Sequence, residues 1–124
     1  MTIVLDSSGW IELLADDGRG HLFEAALDQD QLLVPALVRY EVGRYALANG
    51  GSVFHELALR VLSKFPGIAL DSQLADAAAR LAQQHKLATA DAIIYATARH
   101  CGAELWTQDA HFKGLPGVRY FAKN

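Results

Sequence analysis

The chain has 124 residues, fourteen acids against eleven lysines and arginines, a net charge of −3, and a composition 52% hydrophobic and 20% charged. These values fit one ordinary globular domain burying roughly two-thirds of its unfolded surface, and they exclude a strongly basic nucleic-acid-coating module and a low-complexity chain. One cysteine, Cys101, excludes an intrachain disulfide and suits a reducing compartment; the N-terminus reaches Asp6 without a basic stretch, and no apolar run approaches a membrane span, so a soluble cytoplasmic protein without a signal peptide is expected.

Thr2-Ile3-Val4-Leu5 is apolar and β-branched, and predicts a buried strand ended by Asp6-Ser7-Ser8-Gly9. Ser8 is placed to cap a short helix through Trp10, Ile11, Leu13 and Leu14, which Asp16-Asp17-Gly18 breaks. Leu22, Phe23, Ala26 and Leu27 have helical spacing, and Leu32-Leu33-Val34 predicts a second strand. Pro35 suits the start of a helix through Leu37, Val38, Val42, Tyr45 and Ala46, stopped by Asn49-Gly50-Gly51. Residues 52–64 predict another helix, Pro66-Gly67 a turn, and Ile68-Ala69-Leu70 a third strand. Asp71 or Ser72 caps a helix through Leu74, Ala77, Ala78 and Leu81. Thr89 is placed to cap a helix over residues 90–100, which Cys101-Gly102 ends. Residues 103–107 predict a fourth strand, and Val118-Arg119-Tyr120-Phe121 a fifth.

Strands alternating with helices predict an α/β domain with a mostly parallel sheet covered on both faces. Such sheets bind ligands beyond the carboxyl ends of their strands. That rule draws attention to four acids, Asp91 being a partial exception because helix and loop, not a strand, precede it. Asp6 follows the first strand, and Asp109 lies two residues past Thr107 at the end of the fourth. Glu41 sits about two turns into the helix after the second strand, and Asp91 opens an otherwise apolar helix.

Each acid has an ordinary reading: a turn or cap for Asp6, a solvated pair with Arg44 for Glu41, a helix-dipole partner for Asp91, a turn with Ala110 and His111 for Asp109. Jointly those readings weaken, because one architecture brings all four near one spot. Two carboxylates ~4 Å apart repel by roughly 4 kcal/mol at an effective dielectric near 20. Such a cluster takes up protons or holds cations, and all-oxygen ligation suits Mg²⁺ or Mn²⁺ better than Zn²⁺. The five histidines, His111 among them, are isolated in sequence and read as surface or core residues. Asp16-Asp17 and Asp28-Gln29-Asp30 read as solvated loop acids.

VLDSSGWIELL, the acid in YEVGR, TADAIIYATA and LWTQDAHF, taken in order along nearly the whole chain, resemble the PIN-domain ribonucleases, and the compact length resembles the VapC-type toxins of toxin–antitoxin pairs. The resemblance implies a three-layer α/β/α sandwich around a mostly parallel sheet, a single nuclease domain over residues 1–124, and a Mg²⁺- or Mn²⁺-dependent endoribonuclease. It also implies a homodimer and a small cognate antitoxin. It assigns Asp6, Glu41, Asp91 and Asp109 as the catalytic acids, with Asp6, Asp91 and Asp109 as metal ligands, Thr107 in support, and Glu41 holding the attacking water or accepting its proton. Arg39, Arg44, Arg99 and Lys113 lie near these acids in sequence and could form a basic rim, though each reads first as a solvated charge. The family also contains RNA-processing nucleases that are not toxins. A reading of a different class is a phosphoacceptor signalling receiver with Asp71 as acceptor; against it, Asp6 is followed by serines where a receiver carries a second acid, and Asp71 reads better as a cap.

Overall fold

The computed structural model describes residues 1–15, 18–29 and 31–123. The expected break at Asp16-Asp17 and the acid Asp30 lie outside the described residues. Five strands form one all-parallel sheet: β1 (Thr2–Leu5), β2 (Gln31–Pro35), β3 (Gly67–Ile68), β4 (Glu104–Thr107) and β5 (Val118–Tyr120), in the order β3-β2-β1-β4-β5. The helices are α1 (Ser7–Ala15), α2 (Ala36–Leu62), α3 (Ser72–His85) and α4 (Thr89–His100). Helix α1 packs on α2, and α3 on α4. With right-handed crossovers, the strand order puts α1 and α2 over one face and α3 and α4 over the other, the expected three layers.

The central strands carry the core. Ile3, Val4 and Leu5 of β1 and Leu105 of β4 have no exposed surface, and Trp106, Leu32 and Val34 are nearly as buried. Such continuous apolar runs are what a sheet covered on both faces demands. The edges are blunted differently: β3 is two residues long, and β5 turns Arg119 outward across the rings of Trp106 and Phe121, at 4.5 and 5.0 Å from their centroids. Short, charged edges discourage pairing with other chains.

Several local expectations change. Residues 22–27 form no α-helix but lie in two 3₁₀ turns, Gly20–Leu22 and Glu24–Asp28. The third strand pairs through Gly67 and Ile68 rather than through residues 68–70, because Gly67 is the residue opposite Val34. The glycines at 50–51 do act as a stop in effect. Helix α2 runs to Leu62 but is broken at Gly51, whose φ of 67° and ψ of −160° only glycine adopts readily. Its two halves fold back on one another: the Tyr45 and Phe54 rings meet edge to face at 6.5 Å, and Arg39 donates to Ser63 Oγ at 3.2 Å.

The chain beyond β1 turns toward β2, and the chain beyond β4 turns toward β5. The carboxyl ends of β1 and β4 therefore flank the point where the winding direction reverses, where a crevice opens in such sheets.

Candidate active site

Asp6 leaves the sheet directly after β1, with its backbone N–H still bonded to the Trp106 carbonyl at 3.2 Å. Its carboxylate is almost fully buried, and both oxygens are engaged. Oδ1 accepts from Gly9 N at 3.0 Å and from Ser8 Oγ at 2.8 Å; Oδ2 accepts from Thr107 Oγ1 at 2.5 Å. The cap of α1 is thus Asp6, not Ser8 as the sequence suggested. A carboxylate is the stronger acceptor for the free N–H groups of the first turn, and the serine hydroxyl turns back to donate to it. Burial pushes the Asp6 pKa up; the hydrogen bonds from Thr107, Ser8 and Gly9 pull it down, and repulsion from Asp109 raises it further.

Thr107 ends β4 with no exposed surface. Its hydroxyl donates to Asp6 and accepts from Asp109 N at 2.9 Å, so one atom ties the loops after β1 and β4 together. Asp109 Oδ1 accepts from His111 N at 2.9 Å and lies 3.1 Å from His111 Nδ1. Asp91 reaches the same imidazole from the first turn of α4, with Oδ2 3.6 Å from His111 Nδ1. Glu41, on α2, accepts a short hydrogen bond from Ser7 Oγ, one residue beyond Asp6. Among the described residues no ion pair joins it to Arg44. Thr89 does not cap α4; Ala88 holds that position without a side-chain bond, which leaves Asp91 at 20% side-chain exposure to face its neighbours.

The electrostatics link all four acids. Burial raises the Asp91 pKa, and repulsion from Asp109 raises it next; His111 lowers it, and Asp6 and Glu41 add smaller upward contributions. Among the described residues no lysine or arginine forms an ion pair with any of the four. One ligand atom each from Asp91, Asp109 and His111 lies within 4.8 Å of the others. Carboxylate oxygens beside one imidazole nitrogen, mutually repelling and, among the described residues, without a lysine or arginine partner, fit a divalent cation.

His111 is the residue the sequence reading missed. It stands 20 positions from Asp91, so no local spacing announces it; the fold brings the two together. Gln108 was missed as well. It is 4% exposed, between Thr107 and Asp109. Its Nε2 donates to Glu12 Oε1 at 3.0 Å, and its Oε1 accepts from Arg19 Nε at 2.7 Å. Arg19 Nη2 in turn donates to the carbonyl of Ala122 at 3.0 Å. This chain of bonds braces the loop carrying Asp109 against α1 and the C-terminal segment. Gln108→Leu keeps the volume but removes the bonds to the part-buried Glu12 and Arg19 side chains, a cost of about 1–3 kcal/mol. The expected result in thermal denaturation is a melting temperature lowered by several degrees; an unchanged one would assign the brace no energetic role.

The arginines that could have formed a basic rim do not build one. Arg39 is turned to Ser63, Arg44 lines a cavity with His55 between the two halves of α2, and the guanidinium of Arg99 lies against Gly117. Sequence proximity placed them near the acids, but their helix directions carry them elsewhere. Lys113 is the exception, standing over the Tyr120 ring at 5.9 Å. Asp71 follows the edge strand β3 and accepts from Leu74 N at 2.9 Å as the cap of α3, a structural use that removes the acceptor from the receiver reading.

A family model described as PIN domain matches residues 3–118. Among solved structures, a toxin–antitoxin complex from Klebsiella pneumoniae is 27% identical with a TM-score of 0.84, over 98% of this chain and 99% of that one. VapC20 from Mycobacterium tuberculosis, described as a sarcin-ricin loop cleaving toxin, is 20% identical with a TM-score of 0.77, over 94% and 98%. VapBC2 from Rickettsia felis, bound to a promoter DNA fragment, is 15% identical with a TM-score of 0.78 over the whole of both chains. No curated protein matches the chain in sequence.

Proposed function

Because the chain belongs to the PIN-domain family, we propose that it is a divalent-metal-dependent endoribonuclease, and the toxin of a toxin–antitoxin pair. The observation that carries this reading is that Thr107 ties Asp6 to the loop of Asp109 while Asp109 and Asp91 converge beside His111, near the winding reversal, with no lysine or arginine paired to these acids among the described residues. The coarse elements, a nuclease-type fold and an acidic cluster, are supported directly by the family match and the geometry. The toxin assignment draws on the 27% identity to a chain of the Klebsiella complex. Its partners are then a small antitoxin, a second copy of itself, and RNA, and its place is the cytoplasm, acting as one nuclease domain over residues 1–124. Among the described residues no helix is long and apolar enough to cross a membrane.

In this mechanism Asp6, Asp91 and Asp109 would hold Mg²⁺ or Mn²⁺, which would supply Lewis acidity toward a phosphodiester oxygen. Thr107 fixes the rotamer of Asp6 and the backbone of Asp109, so the two carboxylates are oriented before substrate arrives. Ser7 holds Glu41 through Oε1, which leaves Oε2 to accept the proton of the attacking water. Water oxygen bonds to phosphorus in line, the bond from phosphorus to O3′ breaks, and O3′ takes a proton from solvent. The products carry a 5′-phosphate and a 3′-hydroxyl.

Incubation of the purified protein with Mn²⁺ and total RNA tests this. The expected result is discrete fragments whose 5′ ends are phosphorylated, with none formed in excess chelator. Fragments ending in a 2′,3′-cyclic phosphate, or cleavage indifferent to chelator, would contradict it.

A further inference from the structure

A cavity of about 340 Å³ borders the acidic cluster, lined by Ser8, Gln108, Asp109, Ala110, Tyr120 and Lys123. Two of its walls belong to the cluster itself: Ser8 donates to Asp6, and Asp109 is one of the acids. The far wall is different in chemistry. It is an aromatic ring and a primary amine, with a second amine, Lys113 Nζ, 5.9 Å from the ring centroid.

The position of Tyr120 follows from the sheet. In the β4–β5 pairing Tyr120 is directly opposite Thr107, the residue whose hydroxyl binds Asp6. Paired residues in neighbouring strands point to the same face, about 4.8 Å apart. Arg119 and Phe121, one step either way, belong to the opposite face and enter the cluster around Trp106. Tyr120 is therefore set beside the site by register. Its partly exposed ring is not among the buried core residues. A chain with net charge −3 also needs local positive charge to hold a polyanion; Lys123 in the cavity lining, and Lys113 over the Tyr120 ring, supply it beside the acids.

We propose that this cavity is a nucleotide subsite: it takes the RNA residue adjoining the scissile phosphate, the base stacking on Tyr120 and its phosphate meeting Lys123. Aromatic platforms combined with amines bind single-stranded nucleic acid with little base preference. The cavity is large enough for a ligand of this size, at the lower end of known small-ligand pockets. The inference rests on the nuclease reading and names how that site holds its substrate.

The test is fluorescence anisotropy with a labelled single-stranded oligoadenylate RNA, Ca²⁺ replacing Mg²⁺, at several salt concentrations. Stacking predicts that Tyr120→Ala weakens binding by about 5- to 100-fold, while Tyr120→Phe, which keeps the ring, binds like the wild type. Lys123→Ala, at an exposed position that leaves the fold intact, should lower the slope of log affinity against log salt by about 0.7. Wild-type affinity and salt slope in both alanine variants would overturn the subsite. The two readings fail separately: if the wild type still cleaves total RNA while these variants bind unchanged, only the subsite falls. If the wild type neither binds nor cleaves RNA, both fall. Equal loss of binding to an acidic peptide in the same variants would mark the cavity as a protein-docking site and also overturn the proposal.

Discussion

Asp91→Asn is expected to lower RNA cleavage on the order of a thousandfold while raising the melting temperature of the metal-free protein at pH 7. The first effect follows, under the proposed mechanism, from removing one of the charges that would hold the cation and the transition-state electrostatics it would supply. The second follows from the cost of keeping that charge. Asp91 is mostly buried, and its pKa is raised by burial first and by Asp109 next, with Asp6 and Glu41 contributing. A carboxylate with a raised folded-state pKa binds more protons folded than unfolded, so it favours folding in acid and loses that contribution as pH rises through its folded value. At neutral pH its ionised form is therefore a burden that asparagine lacks. The gain in melting temperature should be a few degrees at pH 7 and should vanish below about pH 4, where the unfolded-state carboxylate is itself protonated. Paired assays of cleavage and thermal unfolding across pH check both halves. A variant that loses stability as well as activity would assign Asp91 to the scaffold instead.

Thr107→Val is the second large expectation, and its sign in stability is opposite. The hydroxyl sits without exposure between Asp6 Oδ2 and Asp109 N. Valine matches its shape and removes both bonds. Each buried group left unpaired costs about 1–3 kcal/mol. The Asp6 pKa should rise further, because the Thr107 bond is the largest influence lowering it. Cleavage should fall about 10- to 100-fold, the usual scale for losing a group that orients a metal ligand. Thr107→Ser should restore most of both properties, since it returns the hydroxyl. A valine variant as stable and as active as the wild type would reduce Thr107 to a packing residue.

The sequence carried the sheet and the acids further than it carried the details around them. Asp6 and Asp109 were legible because buried strands announce themselves as apolar runs, and the residue after a parallel strand lies at the ligand-binding end. Asp91 was legible as a charge with no reason to sit in an apolar helix. The identity of caps was not. Ser8 and Thr89 are good capping residues by type, but Asp6 out-competes the first, and at the second the backbone geometry puts Ala88 in the capping position. Single residues that act through tertiary contact were invisible. His111 has Asp109 two residues away but meets Asp91 only through the fold, and the partners of Gln108, Glu12 and Arg19, are about ninety residues distant. The arginines failed for the complementary reason: nearness in sequence on a helix says little about which side the guanidinium takes.

The acid site and the fold's winding are one feature. The two loops that leave β1 and β4 in opposite directions open the crevice, and Thr107 stitches them across it. In the proposed mechanism the repulsion stored among the carboxylates would be what gives a cation its purchase. Electron paramagnetic resonance of Mn²⁺ titrated into the purified protein and into Asp91→Asn tests that claim most directly. The expected result is depletion of the free-ion signal by the wild type and little or none by the variant. A wild type that leaves Mn²⁺ free at millimolar concentration, or a variant that binds it equally well, would contradict the metal-centred account.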